Sequence, residues 1–195
     1  ALVSTFLALM IGIPAGVIAA ARRGRWPDRL GGLGSIMAVA MPTFFLAMLL
    51  QLIFSQWLGL LPLSGRLSRE ISIADPLTMV TGFNLVDSLL AGRPAAFFDA
   101  VLHLILPALT LAAYPAGVAM RLTRSAMIEI LERRHITAAR ALGLSEPRIL
   151  FGHALRNAVG PALTVIGLSF AYALTGAVLV EIIFAWPGLG RYVSE

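Results

Sequence analysis

The side chains that could support catalysis in this chain are its serines and three histidines, His103, His135 and His153. No Asp or Glu is placed near them in a pattern typical of a catalytic triad, and no two histidines have metal-ligand spacing. A nucleotide-binding P-loop requires a lysine, and all 15 basic residues are arginine. We therefore predict no catalytic residue, no cofactor and no metal, and we interpret His153 as a polar residue at a membrane interface.

The elements around these residues are apolar: 58% of the chain is hydrophobic and 13% is charged, against about 25% charged in soluble domains. Four stretches are long enough to cross a bilayer, which takes roughly 20 helical residues. They are residues 1–21, 33–55, 100–120 and 159–180. The pattern predicts an all-α, polytopic transmembrane helix bundle, because four buried helices of a soluble protein would need a larger polar shell. None of the stretches contains Asp, Glu or Arg, which argues against a proton-driven carrier.

The arginines indicate an orientation in the membrane. Four follow the first stretch: Arg22, Arg23, Arg25 and Arg29. Seven follow the third: Arg121, Arg124, Arg133, Arg134, Arg140, Arg148 and Arg156. The positive-inside rule therefore predicts that both links are cytoplasmic and that residues 60–99 are external. Membrane topology accounts for the net charge of +5, and nucleic acid is not an expected partner.

Residues 121–157 are helical in composition but too charged to enter the membrane, and they contain residues 137–148 (TAARALGLSEPR), here called the knuckle. Alanines keep the first half slim, and Gly143 suits a left-handed helix C-cap. Ser145 is placed to cap a second helix that has Glu146 and Pro147 in its first turn. The pattern predicts a short helix, a sharp turn and a second short helix. Such a segment could tie two membrane helices together, or it could enter a groove on a partner.

Prolines occur in every predicted span. In the first span, Gly12, Pro14 and Gly16 are consistent with either tight helix packing or a flexible wall of a pathway. The other spans are expected to be interrupted at Pro42, Pro107, Pro115 and Pro161. Interrupted spans favour a bundle around a path over isolated anchors. Residues 56–99 carry turn signals around a weakly amphipathic stretch at 77–90, and they predict an external loop with short helices, either a connector or a contact for substrate.

Five segments, taken in order, resemble a known family. They are 22–28 (RRGRWPD), 103–110 (HLILPALT), the knuckle, 153–157 (HALRN) followed by Pro161, and 181–191 (EIIFAWPGLGR). Together they resemble the membrane permeases of ATP-binding-cassette importers, specifically the dipeptide, oligopeptide and nickel permease group. Ala138, Ala139 and Gly143 stand at signature positions of the "EAA" loop of that group, whereas its usual first glutamate is Thr137 here.

The resemblance implies a type I permease fold of about six membrane helices. Residues 1–195 would then be a single transmembrane domain, truncated at both ends, that holds the second to fifth helices as about four complete spans. Residues 121–157 would be its cytoplasmic coupling segment. The residues implied in coupling to an ATPase are Thr137, Ala138, Ala139, Arg140, Gly143, Leu144, Ser145 and Glu146.

The resemblance also implies partners and a location. We expect a second, homologous permease subunit, two cytoplasmic ATP-binding-cassette ATPase subunits and an extracytoplasmic solute-binding protein. The chain itself would be a transport subunit and not an enzyme, because ATP would be hydrolysed on the partners. It would be a multi-pass protein of a bacterial or archaeal inner membrane, forming half of a path for peptides, nickel or other small solutes.

The end of the fourth span has two interpretations. Glu181, Phe184, Trp186, Pro187 and Gly188 lie where the chain leaves the membrane. Aromatic residues favour the membrane interface, so they could form an anchoring belt. They could equally form an outer gate that meets the binding protein.

Three other functions compete with the importer hypothesis. A secondary carrier or channel acting without an ATPase would be driven by an ion gradient. An exporter domain would need far longer cytoplasmic helices than residues 121–157 provide. A structural anchor would not need prolines in every span.

Overall fold

The computed structural model describes residues 1–74, 80–176 and 178–186 of the chain. These residues contain no strand, so the predicted all-α class is confirmed over them. The helices are α1 (Leu2–Ala21), α2 (Trp26–Ala40), α3 (Thr43–Leu50), α4 (Arg69–Ala74), α5 (Asn84–Leu90), α6 (Pro94–Leu131), α7 (Arg134–Ala141), α8 (Leu155–Ala158), α9 (Gly160–Gly176) and α10 (Val178–Ile183). A first π-helix, Gln51–Trp57, continues α3, and a second, Arg148–Ala154, precedes α8.

Among the residues that the structure describes, two helices are long and apolar enough to cross a membrane unbroken. The first is α1, which matches the predicted span 1–21 and retains Pro14 within its length. The second is α6, whose 38 residues extend about 57 Å at 1.5 Å per residue. The expected interruptions at Pro107 and Pro115 are wrong, because α6 runs through both. Two bent helix pairs bring the number of candidate spans to as many as four.

The second predicted span, residues 33–55, is not one continuous helix. Proline lacks an N–H and disfavours helical backbone in the residue before it. Met41, just before Pro42, has extended angles of φ −76° and ψ 128°, so α2 ends at Ala40. The same chemistry places the start of α2 earlier than expected, because Pro27 and Asp28 suit a first helical turn.

The fourth predicted span, residues 159–180, includes residue 177, which lies outside the described residues. Within it, α9 begins at Gly160, so Pro161 occupies a first helical turn and does not interrupt a helix. A bend of 58° separates α9 from the helical residues Arg148–Ala158 before it.

The chain divides into two compact units. The first comprises Ala1–Pro42 and Leu111–Thr175. In it α1 packs against α6 with almost no space between the backbones: a Cβ added at Gly12 or Gly16 would lie 2.7 Å from the carbonyl oxygen of Ala116 or Met120 respectively. Tight packing therefore accounts for these two glycines.

The second unit comprises Thr43–Thr110 and Gly176–Glu195. Its connecting segments are held by polar side chains. Gln51 Nε2 donates hydrogen bonds to the carbonyl oxygens of Leu63, at 2.8 Å, and Ile183, at 3.2 Å. The carboxylate of Asp99 accepts a 2.7 Å hydrogen bond from Ser68 N. The predicted short helices are present as α4 and α5, although residues 75–79 of the expected amphipathic stretch lie outside the described residues.

Buried Asp87 orders the start of α5. Its carboxylate accepts hydrogen bonds from Thr81 N at 2.8 Å, Thr81 Oγ1 at 2.7 Å and Gly82 N at 3.0 Å. Hydrogen bonds to the ionised form favour it, and those from Thr81 are the main reason that the pKa of Asp87 is lowered.

Candidate functional site

The first half of the knuckle is helix α7, which ends in a Schellman motif. Gly143 has φ +80°, the left-handed conformation that its sequence position predicts. Leu144 N donates to Ala139 O at 3.2 Å, and Gly143 N donates to Arg140 O at 3.0 Å, so both carbonyls at the helix end are satisfied. A Cβ added at Gly143 would meet no atom within 4 Å. The backbone conformation, and not a shortage of space, favours glycine here.

The second half of the knuckle begins a new helix at Glu146, as predicted. Ile149 N donates a 3.0 Å hydrogen bond to Ser145 O, which places Ser145 immediately before that helix. Pro147 lies in the first turn, where its missing N–H costs nothing. The sequence does not predict that the helix then widens to π geometry over Arg148–Ala154.

A salt bridge spans the turn between the two helices. Arg140 Nε lies 2.7 Å from Glu146 Oε1, and Arg140 Nη2 donates to Glu146 Oε2 at 3.3 Å. These hydrogen bonds stabilise both charged forms, lowering the pKa of Glu146 and raising that of Arg140. Because both side chains are about half exposed, the pair contributes modestly to stability.

The alanines that keep the first half of the knuckle slim are not equally exposed. Thr137, Ala138 and Arg140 are exposed, whereas Ala139 is partly buried and packs against the core beneath α7. The two alanines therefore do not share one exposed face. The most prominent apolar side chain is Leu142, which is 81% exposed beside the turn.

A buried apolar cluster fixes the knuckle to the ends of two long helices. Its members come from α1, α6, α7, the second π-helix and α8: Val17, Ala20, Met127, Ile130, Ile136, Ile149, Ala154 and Ala158. Ile136 and Ile149, one on each side of the turn, have no exposed surface. Burying an isoleucine side chain contributes about 1.5–3 kcal/mol, so the two anchor the knuckle far more strongly than its surface ion pair does.

The links after the first and third predicted spans lie side by side in the first unit. Arg124 forms a bidentate ion pair with Asp28. Its Nη2 donates a 2.8 Å hydrogen bond to Oδ2, and its Nε donates a second hydrogen bond to Oδ1. Gly24 N also donates to Asp28 Oδ2 at 2.9 Å, and Asp28 is only 7% exposed. Exposed Arg23 pairs with Glu132 at 2.8 Å. Sequence patterns identified these arginines but gave no signal for their partners, which lie about a hundred positions away.

The residues at the end of the fourth span have mixed surroundings. Phe184 is 2% exposed, and its carbonyl accepts a 2.8 Å hydrogen bond from Gly65 N. Arg66 lies over the Trp186 ring, 5.5 Å from the centroid, and burial lowers the pKa of its guanidinium while the charge of Glu181 opposes that shift. Pro187 and Gly188 lie outside the described residues.

This helix end also contains an unusual backbone conformation. Ala185 has φ +47°, and Trp186 N donates to Glu181 O at 2.8 Å while Ala185 N donates to Ile182 O at 3.1 Å. This is a second Schellman motif, with alanine at the position where glycine is usual.

The histidines differ in burial. His103 is buried, with Nδ1 2.8 Å from the carbonyl oxygen of Asp99, and His153 is exposed. Within the described ranges, no group of three or more His, Asp and Glu side chains is placed to hold a metal ion.

The structure contains apolar helices of membrane length, and a helix–turn–helix packs against the ends of two of them. These features define a helical membrane protein. Residues 12–195 match the family of binding-protein-dependent transport system inner membrane components, and the chain belongs to that family. Its membership confirms the resemblance on which the importer hypothesis was based, and it supports a membrane location and a transport role.

Several curated relatives carry peptide-transport names. The chain is 46% identical over 184 residues to the di/tripeptide transport system permease protein DppB of Pseudomonas aeruginosa, covering 94% of this chain and 54% of the relative. It is 44% identical to the dipeptide transport system permease protein DppB of Escherichia coli (strain K12), covering 96% and 55%. Identity to the peptide transport system permease protein SapB of Salmonella typhimurium is 39%, covering 95% and 58%. The chain thus spans a little over half the length of these relatives.

Proposed function

We propose that this chain forms part of a permease subunit of an ATP-binding-cassette importer and contributes half of a translocation path for peptides. The observation that carries the proposal is how the knuckle is attached to the membrane helices. Its turn at Leu142 and Gly143 is exposed, and its base belongs to a buried cluster that joins α1, α6 and α7. Family membership supports the transport role, and the names of the relatives favour peptides over nickel as the solute class.

The partners belong to the same proposal. A second, homologous permease subunit completes the path, two ATPase subunits hydrolyse ATP and dock on the knuckles, and an extracytoplasmic solute-binding protein delivers the peptide. The chain is a multi-pass protein of a bacterial or archaeal inner membrane. Residues 1–195 form one transmembrane domain within the longer subunit, and its coupling segment, residues 121–157, includes the last turns of α6.

The knuckle can act as a docking element because it is exposed at its tip and fixed at its base. An apolar side chain beside a thin turn fits a groove on a partner, as amphipathic helices do. The residues of this surface are Thr137, Ala138, Arg140, Leu142, Gly143 and Glu146, all exposed, with partly buried Ala139 and Leu144 and exposed Ser145 supporting the turn. Displacement of the tip is transmitted to α1 and α6 because Ile136 and Ile149 belong to the same buried cluster as residues of these two helices.

The segment from Glu181 to Gly188 is proposed as part of the outer gate on the side of the binding protein. The contact of Trp186 with Arg66 supports this, because it ties the end of the fourth span to the segment that precedes α4. Sealing and opening of the path at this end would then involve both segments.

The experiment that tests the proposed function is reconstitution of the full-length permease in vesicles, with radiolabelled dipeptides as the probe. We expect uptake only when the second permease subunit, the ATPase subunits, ATP and the binding protein are all present. Omission of each component in turn is the control. Uptake by the permease alone under a proton or sodium gradient would instead establish a secondary carrier, and passive equilibration would establish a channel.

A further inference from the structure

Asp28 and Arg124 form the most buried ion pair among the described residues of the first unit. The side chain of Asp28 is 8% exposed and that of Arg124 is 34% exposed, whereas the neighbouring Arg23 and Glu132 are 61% and 69% exposed. Both pairs join the link after α1, or the first turn of α2, to the far end of α6. They therefore differ in burial and geometry while connecting nearly the same two parts of the chain.

We propose that Asp28 and Arg124 are positioning residues for energy coupling. They hold the start of α2 to α6, so that both helices move together when the knuckle moves. This inference rests on the proposed function. The two residues contact neither solute nor nucleotide, and they act through the helices that they join.

The geometry of the pair supports a positioning role. Two parallel hydrogen bonds between a guanidinium and a carboxylate fix an angle as well as a distance. Gly24 N holds the same carboxylate from a second direction, so that the link, α2 and α6 converge on one side chain. Arg124 lies about one turn before Met127, whose fully buried side chain belongs to the cluster beneath the knuckle.

Further contacts between α2 and α6 involve small or flexible groups. A Cβ added at Gly117 would lie 3.0 Å from Ser35 O, and one added at Gly31 would meet the flexible end of Met120. Small and flexible groups bring two helices close but fix their register weakly compared with a buried bidentate pair. Loss of the pair is therefore expected to leave α2 and α6 packed together but to weaken the coupling between their movements.

The test compares Asp28→Asn and Arg124→Gln with the control variants Arg23→Gln and Glu132→Gln in the full-length reconstituted complex. Four quantities are measured: permease in the membrane, ATPase subunit that co-purifies, ATP hydrolysed and dipeptide taken up. In Asp28→Asn and Arg124→Gln we expect the amount of permease, the co-purifying ATPase subunit and the ATP hydrolysed to stay near wild type. Dipeptide uptake per ATP should fall about tenfold, a size typical of coupling between two sites. Arg124→Lys keeps the charge but not the fork, and we expect it to restore only part of the ratio.

Two results would overturn the proposal. If the ratio of uptake to hydrolysis is unchanged in Asp28→Asn and Arg124→Gln, the pair does not contribute to coupling. If uptake, hydrolysis and the amount of permease fall together, the pair serves folding alone. Failure of the proposed function is distinguishable from both, because the wild-type complex would then show no ATP-dependent uptake at all.

Discussion

Arg140 and Glu146 face each other across the turn at Gly143, and their charged groups meet at 2.7 Å. The pair spans the turn without burying it, so the apolar tip beside it stays accessible. The family that this chain resembles usually has a glutamate at the first position of the knuckle, where this chain has Thr137. The knuckle nevertheless contains an ion pair of its own, between Arg140 and Glu146.

The pH dependence of this pair follows from the lowered pKa of Glu146. Its stabilising effect is fully present above the unfolded pKa of about 4.3, and it is lost as pH falls through the lower, folded value. We therefore expect no change between pH 8 and pH 5. Glu146→Gln removes the effect at every pH and should speed backbone hydrogen exchange at residues 143–144 about twofold, since an exposed pair contributes about 0.5 kcal/mol or less. Glu129→Gln, which breaks an exposed pair with Arg133, should leave this exchange unchanged.

Gly143→Val should uncouple ATP hydrolysis from transport. A side chain at φ +80° strains the turn by about 1–2 kcal/mol, which is too little to unfold the bundle but enough to tilt the second helix. Gly143→Asn is the matched control, because asparagine tolerates the left-handed region better. The measurement is substrate-stimulated ATP hydrolysis beside co-purification of the ATPase subunit. Normal stimulation and uptake in the valine variant would show that coupling occurs elsewhere.

Ala138 and Ala139 should respond differently to the same enlargement. Ala138→Trp adds bulk to an exposed position, and we expect loss of ATPase co-purification with an unchanged melting temperature. Ala139→Trp adds bulk against the buried cluster beneath α7, and overpacking of this kind costs about 1–3 kcal/mol, so the melting temperature should fall. Equal effects of the two variants on docking and on stability would argue against Ala138 as part of the docking surface.

The predicted orientation can be tested by single cysteines, since the chain contains none. Arg140→Cys should react with a membrane-impermeant maleimide only after cells are opened, because the knuckle is expected to be cytoplasmic. Phe83→Cys, which lies in the predicted external loop and is exposed, should react in intact cells. Labelling of position 140 from outside intact cells would contradict the orientation.

Trp186→Ala should reduce peptide uptake without reducing the amount of permease in the membrane. The substitution removes the ring beneath Arg66, whereas Trp186→Phe keeps an aromatic face and should retain most of the uptake. Unchanged uptake in the alanine variant would leave Trp186 with an anchoring role only.

Sequence patterns predict local features of this chain better than distant ones. Hydrophobic length predicted α1 and the existence of α6, and glycine chemistry predicted the left-handed turn at position 143. The interruption expected at Pro42 is confirmed, because Met41 has extended backbone angles and α2 ends at Ala40. Proline was in turn given too much weight at Pro107 and Pro115, where α6 continues unbroken.

The contacts that distinguish the candidate site could not be predicted from spacing. In the sequence, Asp28 is one acidic residue among several arginines, with nothing to indicate its partner. Only folding brings it next to Arg124, 96 positions away. The separation of Ala138 from Ala139 has a similar origin. Which of two adjacent small residues faces inward depends on the rotation of α7 over its buried cluster, and that rotation is fixed by Ile136 and Ile149 together.

The unbroken length of α6 is expected to make the position of the knuckle depend on the lipid around it. A bilayer core of about 30 Å covers little more than half of the roughly 57 Å over which 38 helical residues extend. A thicker membrane would draw more of the helix into hydrocarbon or change its tilt, and the docking surface would shift with it. Acyl-chain length is thus expected to alter how well the knuckle engages the proposed ATPase subunit.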